Sequence, residues 1–123
     1  MTCCILIVDD SAAIRRILRD ALERECGFEV CGEAVNGQDA LEQARQLNPH
    51  LIVLDLSMPV MNGLEAAREF KRISPTIPLV MFTSFETPNL KAEALRAGCS
   101  ALVSKSDVPL LVSSIHQLLE PLT

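Results

Sequence analysis

The regular alternation of short aliphatic runs with longer amphipathic segments most constrains how this chain can fold. The first run, Cys3–Val8, is apolar throughout, which is typical of a strand buried on both faces of a sheet. The next segment repeats apolar residues at helical spacing and turns Arg15, Arg16 and Arg19 outward. Strands that alternate with helices of about ten residues indicate βαβ units and a parallel, doubly wound sheet.

Five strands and five helices follow from the same pattern. The predicted strands are Cys3–Val8, Phe28–Ala34, Leu51–Leu54, Ile77–Phe82 and Ala101–Val103. The predicted helices start after the cap Ser11, at Asn36-Gly37, at Gly63, after the cap Thr87 and at Pro109, and they end at Gly27, Leu47, Ile73, Gly98 and Leu119. No repeat, low-complexity tract or linker interrupts them. We therefore expect one domain over residues 1–123, with any output domain outside this chain.

Composition excludes several classes of function. Hydrophobic residues make up 49% of the 123 residues and charged residues 22%, the balance of a soluble globular domain. The formal net charge of −5 argues against direct nucleic-acid binding, which needs a basic face. No apolar run approaches the roughly 20 residues of a membrane span, and no signal peptide begins the chain. We expect a cytoplasmic protein with no membrane contact.

The five cysteines are interpreted as small hydrophobic residues in a reducing compartment. Their number is odd, and none of them forms a CxxC pair. Cys3 and Cys4 would point to opposite faces of a strand. They are therefore expected to form neither a metal site nor an ordinary disulfide.

Polar residues stand where the predicted strands end. Asp9 and Asp10 follow the first strand, Asp55 follows the third, and hydroxyls and a lysine follow the last two (Thr83, Ser84 and Lys105). Because parallel strands with right-handed crossovers deliver their carboxyl ends to one edge, these side chains should meet there. Acids without a nearby His or Cys suit Mg²⁺, whereas a lysine and a hydroxyl suit a phosphoryl group. The sequence therefore predicts a site for both.

Several stretches resemble receiver domains of bacterial two-component response regulators, and together they extend over essentially the whole chain. The matching stretches are ILIVDDS, VNGQDALE, PHLIVLDLSMPVMNGLE, PLVMFTS and AGCSALVSK. The resemblance implies an α/β fold of the (βα)5, flavodoxin- or CheY-like type. Its parallel sheet would have five strands in the order 2-1-3-4-5, with helices on both faces. It also implies a signalling switch rather than an enzyme, apart from its own phosphorylation and dephosphorylation.

The resemblance also assigns roles at the strand ends. Asp55 corresponds to the phospho-accepting nucleophile, and Asp9, Asp10 and Asp55 correspond to Mg²⁺ ligands together with the Ser57 backbone carbonyl. Thr83 corresponds to the hydroxyl that follows the phosphoryl group, and Lys105 to the lysine that pairs with it. Phe85, two residues after Thr83, occupies a position that tunes how fast water reaches the acyl phosphate, and its bulk favours shielding.

Two positions near the end of the chain depart from the family pattern. Leu102 stands where most receivers have an aromatic residue that reports phosphorylation, so leucine repacking or another route must carry the signal. Ser106 stands where many receivers have proline, and a cis bond to a non-proline residue costs about 2.5–4 kcal/mol. A trans Lys105–Ser106 bond is therefore predicted. The stretch SKSD is similar to receivers that precede LuxR/NarL-type DNA-binding domains.

Three classes of function follow as alternatives. The first is a switch that a sensor histidine kinase phosphorylates and that then changes its contacts with its own or a separate output domain, to regulate transcription. Its dimer would use the face formed by the fourth helix, fifth strand and fifth helix, or the first and fifth helices. The second is an interaction module that works without phosphate. The third is a true enzyme, although a hydrolase would need a D-x-D motif where Ser57 stands, and an FMN protein a phosphate loop where DDSAA stands.

Overall fold

Strands and helices alternate strictly through the computed structural model of the protein, which describes residues 2–85 and 87–120. The strands are β1 (Cys3–Val8), β2 (Phe28–Ala34), β3 (Leu51–Leu54), β4 (Leu79–Thr83) and β5 (Ala101–Ser104). The helices are α1 (Ala12–Glu23), α2 (Gly37–Leu47), α3 (Gly63–Ile73), α4 (Pro88–Ala97) and α5 (Val108–Leu118). The strands are parallel and lie in the order β2-β1-β3-β4-β5. This order confirms the predicted fold class.

Several boundaries differ from the prediction for local reasons. β4 begins at Leu79 rather than Ile77 because Ile77 donates its N–H to the Ser74 carbonyl in a turn, and Pro78 has no N–H for the ladder. Helix α1 ends at Glu23 rather than at Gly27. The turn after it reaches Gly27, which has a φ of 92°.

The C-terminal boundaries also shift by one residue. β5 extends to Ser104 because Ser104 pairs with Thr83 in the parallel ladder. Helix α5 starts at Val108, one residue before the predicted Pro109, since Asp107 caps it by accepting the Leu110 N–H at 3.0 Å. It ends at Leu118 rather than at Leu119.

The sheet has a hydrophobic core on each face. On one face Leu6, Val8 and Leu54 pack with helices α2, α3 and α4, and on the other Ile5, Ile7 and Val53 pack with helices α1 and α5. Every residue of β3 is buried, as expected for a central parallel strand. Across the two described ranges, none of the helices combines the length and the apolarity needed to cross a membrane.

The expectation of five reduced cysteines is wrong for two of them. Cys4 of β1 and Cys31 of β2 form a disulfide, whereas Cys3, Cys26 and Cys99 are free. The physical reason is an irregularity in the β1–β2 ladder: Ile5 pairs with Val30 and Leu6 with Gly32, so Cys31 is an extra residue. No pattern in the sequence marks that irregularity.

Candidate functional site

Three carboxylates meet at the carboxyl edge of the sheet, as the sequence predicts. One carboxylate oxygen each from Asp9, Asp10 and Asp55 lies within 4.8 Å of the other two. Adjacent parallel strands cause this convergence, because Val8 pairs with Leu54 and the Asp55 N–H donates to the Val8 carbonyl at 2.9 Å. Asp9 and Asp55 are buried, with 1% and 5% exposure, whereas Asp10 is exposed.

Asp9 is held through both its backbone and its side chain. Its N–H donates to the Ala34 carbonyl of β2, and its Oδ1 accepts the Ser11 N–H at 2.9 Å. Its own carbonyl accepts a hydrogen bond of 2.7 Å from Arg15 Nη1 on α1. The guanidinium of Arg15 also pairs with Glu33 of β2 at 2.9 Å. These contacts fix the carboxylate against β2 and α1.

Lys105 connects two of the carboxylates. Its Nζ lies 2.8 Å from Asp9 Oδ2 and 3.2 Å from Asp55 Oδ1, and its backbone N–H donates to the Thr83 carbonyl at 2.9 Å. Burial would lower the pKa of the ammonium, but the hydrogen bonds and charges of Asp9 and Asp55 outweigh burial and raise that pKa. Lys105 is therefore a fixed positive charge inside an acidic site.

The carboxyl group of Asp55 is subject to opposing effects on its pKa. Burial raises its carboxyl pKa, and the Asp9 charge raises it further. The charge and hydrogen bond of Lys105, and the Leu56 N–H that donates to Oδ1 at 2.9 Å, act in the other direction without cancelling the rise. A cation beside Asp55 and Asp9 would relieve their mutual repulsion.

Thr83 and Phe85 form the side of the site next to α4. Thr83 is fully buried, and its Oγ1 accepts the Phe85 N–H at 3.1 Å. The Phe85 side chain is 60% exposed, so in this structure the ring extends into solvent. The hydroxyl predicted to meet a phosphoryl group is thus hydrogen-bonded to the backbone of the β4–α4 loop.

The segment after Asp55 is shaped by one tight turn and one close contact. The Met61 N–H donates to the Pro59 carbonyl at 2.7 Å across Val60, which has a φ of 68° and forms the centre of a γ-turn. Gly63 then begins α3 against the backbone of Asp55, where a Cβ would overlap the Asp55 carbonyl oxygen. Ser57 precedes the γ-turn, and it is exposed, two residues after Asp55.

The donor set fits a hard divalent cation. All three convergent side chains are carboxylates, and oxygen ligands of this kind are those that Mg²⁺ prefers. The two buried acids are also held by backbone N–H groups and by Lys105, so they are in place before a cation arrives. The exposed Asp10 leaves the cluster open to solvent.

Comparison with known proteins identifies the family. A family model described as the response regulator receiver domain matches residues 5–116. This chain belongs to the response regulator receiver family. Receiver domains are the phosphorylation-based switches of two-component systems, and they bind Mg²⁺ at an acidic pocket of this kind.

Individual relatives place the receiver domain among several kinds of regulator. It is 35% identical over 105 residues to the chemotaxis protein CheY of Thermotoga maritima, covering 85% of this chain and 87% of that protein. It is 44% identical over 102 residues to a protein-glutamate methylesterase/protein-glutamine glutaminase of Alkalilimnicola ehrlichii, covering 81% of this chain but 26% of that protein. The chain therefore spans only about a quarter of that methylesterase.

Solved structures agree with the fold and extend the range of relatives. The response regulator domain of Thermotoga maritima CheB has a TM-score of 0.90 at 29% identity, with 97% of each chain covered. A LuxR-family two-component response regulator from Aurantimonas sp. SI85-9A1 has a TM-score of 0.92 at 32% identity, covering 97% of this chain and 86% of that one. These neighbours are the response regulator domain of a CheB protein and a LuxR-family regulator.

One residue of the receiver site was assigned wrongly from sequence. Arg15 was expected to face outward, yet it contacts the Asp9 carbonyl and Glu33, and Arg19 of the same helix pairs with Glu33 at 2.8 Å. Helical spacing places both arginines on one side of α1, but it does not show that β2 brings a glutamate to that side. Leu102 is buried in the core that faces α2, α3 and α4. Its side chain is therefore not at the surface, where a partner could detect a change in its position.

Proposed function

We propose that Asp55 is the phosphoacceptor of this switch and that a sensor histidine kinase is its phosphodonor. The observation that carries the proposal is the environment of the Asp55 carboxylate. Lys105 and the Leu56 N–H both contact Oδ1, and among the described residues no hydrogen bond or ion pair engages Oδ2. One oxygen is thus held while the other is available as a nucleophile.

The reaction follows from this arrangement. Asp55 Oδ2 attacks the phosphorus of the kinase phosphohistidine, a P–O bond forms, and the P–N bond breaks to release the imidazole. Lys105 and the Thr83 hydroxyl are the groups that would then contact the phosphoryl oxygens, as a point charge and a hydrogen-bond donor. Mg²⁺, when held by Asp9, Asp10, Asp55 and the Ser57 backbone carbonyl, supplies neutralisation of negative charge. The reaction is complete when water cleaves the acyl phosphate and restores Asp55.

Intact mass after incubation with acetyl phosphate and Mg²⁺ tests the proposal. We expect one labile phosphoryl adduct in the wild-type domain and none in Asp55→Asn. Asp20→Asn is the matched control, because Asp20 is exposed on α1, and it should keep the adduct. Absence of an adduct in the wild type would favour the phosphate-independent interaction module. Turnover of added phosphoesters would favour an enzyme.

For the output, we propose transcription regulation through a LuxR/NarL-type DNA-binding domain. Two observations support it: the SKSD stretch and the LuxR-family neighbour at 32% identity. Phosphorylation would change self-association, through the α4–β5–α5 face or through α1 and α5. Sedimentation with and without acetyl phosphate measures that change, and Leu110→Glu, at an exposed leucine of α5, should weaken either dimer. An equally monomeric domain in both states would contradict the proposal.

A further inference from the structure

A disulfide lies on the sheet, outside the cluster of acidic side chains. It joins Cys4 of the inner strand β1 to Cys31 of the edge strand β2, with Cα atoms 5.4 Å apart. That separation lies within the range usual for disulfides. Both residues are partly exposed, unlike the buried Cys3 and Cys99. Solvent-borne thiols and disulfides therefore have access to this pair.

The backbone around Cys31 departs from the regular ladder of the sheet. Cys31 is the extra residue of the β1–β2 irregularity, so it is not committed to a ladder position. Its Sγ also lies 3.6 Å from the Ile5 carbonyl oxygen, which gives a reduced thiol an acceptor. A Cβ on the next residue, Gly32, would overlap the side chains of Leu47 and Gln43, so the glycine lets α2 approach this segment closely.

We propose that Cys4 and Cys31 form a reversible redox site, which exchanges with low-molecular-weight disulfides of the glutathione class. One protein thiolate attacks a sulfur of the small disulfide, forms a mixed disulfide and expels one small thiolate. The second protein thiolate attacks the bound protein sulfur and expels the other. The protein loses two electrons and two protons, and the small disulfide becomes two thiols.

The bond changes the restraint on β2. As an edge strand, β2 is paired in the sheet with β1 alone, and the disulfide closes the chain over a separation of 27 residues that includes α1. Closing a loop of that size restrains the unfolded chain, so the oxidised form should unfold at a temperature higher by about 10 °C. The same strand continues to Glu33 and Ala34, which hold Arg15 and Asp9.

Equilibration in glutathione buffers of graded ratio, followed by alkylation and mass analysis, tests the proposal. Cys4 and Cys31 should become protected together, over one transition that reverses on return to reduced glutathione. Cys31→Ser should lose the protection of Cys4 and the increase in melting temperature. Cys26→Ser, at the exposed lone cysteine, should keep both. Cys99 provides a slow-reacting internal reference, because burial raises the pKa of its thiol to about 11.

Three results would overturn the proposal. One is an alkylation rate of Cys4 and Cys31 that does not change with the glutathione ratio. Another is a stable mixed disulfide with glutathione in place of the internal bond. The third is a bond that resists reduction until the domain unfolds, which would make it a permanent crosslink. Because wild-type protein alone yields these results, the test does not depend on whether Cys31→Ser folds.

Discussion

At the scale of single residues, Lys105 sets the charge balance of the acidic site. Its ammonium contacts Asp9 and Asp55, while the third acid, Asp10, faces solvent. A half-buried cation between two buried carboxylates stabilises the metal-free domain by limiting their repulsion. The same charge opposes a divalent cation, since both compete for the same oxygens.

Replacing Lys105 should therefore lower the stability of the metal-free domain and increase the stabilisation that Mg²⁺ provides. Lys105→Met is expected to lower the free energy of unfolding by about 2 kcal/mol without Mg²⁺, because two buried carboxylates lose their partner. Millimolar Mg²⁺ should then raise the stability of the variant more than that of the wild type. Urea unfolding with and without Mg²⁺ measures both effects. Lys91→Met, at an exposed lysine of α4, is the control, and equal behaviour of the two variants would contradict the account.

Val60 is a second residue with an unusual effect on the free energy of unfolding, because its backbone conformation is unfavourable. It is a β-branched side chain at a φ of 68°, and it is exposed, so few contacts compensate for the unfavourable backbone conformation. Val60→Gly should raise the free energy of unfolding by about 1 kcal/mol, after the entropy of the added glycine is included. Val35→Gly, at an exposed valine outside the left-handed region, should lower it. A destabilised Val60→Gly in urea unfolding would mean that Val60 makes compensating contacts.

At the scale of elements, α1 and β2 are joined by charge. Arg15 and Arg19 both pair with Glu33. Burial would raise the pKa of Glu33, but the hydrogen bonds and charges of the two arginines outweigh it and hold that pKa below its ordinary value of 4.5. The stabilisation is therefore complete above that value, and it is lost as the pH falls through the lower pKa of the folded state.

Glu33→Gln should show this pH dependence. The variant is expected to be less stable than the wild type by about 1 kcal/mol at pH 7, since half-buried pairs with arginine are worth about that much. The difference should shrink below pH 4.5 as Glu33 of the folded wild type takes up a proton. Thermal unfolding from pH 7 to pH 3 measures it. Glu29→Gln, exposed on the same strand, should show no such trend.

The sequence predicted the elements well and their junctions less well. Aliphatic runs and helical spacing predicted all five strands and all five helices, because burial on both faces of a parallel sheet leaves a clear pattern. The start of β4 was missed because Ile77 is apolar in a turn, and the end of α1 because Gly27 lies beyond a turn rather than directly after the helix. Pairings between distant elements, such as Arg15 with Glu33 and Cys4 with Cys31, leave no local pattern.

At the scale of the whole molecule, phosphorylation of Asp55 must be transmitted from the acidic site to the surface of the domain. The positions of Asp9, Asp10, Asp55 and Lys105 at the ends of predicted parallel strands predicted that they converge, and the structure shows these side chains together. The sequence could not predict which residue transmits the change from the site to the surface. Leu102, which replaces the usual aromatic residue, is buried in the core. The Thr83 hydroxyl instead contacts the β4–α4 loop through the Phe85 N–H. That contact connects the site to α4.

Phosphorylation should therefore loosen the β4–α4 loop. If the Thr83 hydroxyl turns to a phosphoryl oxygen on Asp55, the Phe85 N–H loses its acceptor, and one hydrogen bond of about 1 kcal/mol corresponds to about fivefold faster amide exchange. Hydrogen exchange of the Phe85 amide with acetyl phosphate and Mg²⁺ measures this. Asp55→Asn should keep the slow rate, and Thr83→Val should exchange fast in both conditions. Unchanged protection in a fully phosphorylated domain would direct the signal through repacking of Leu102 instead.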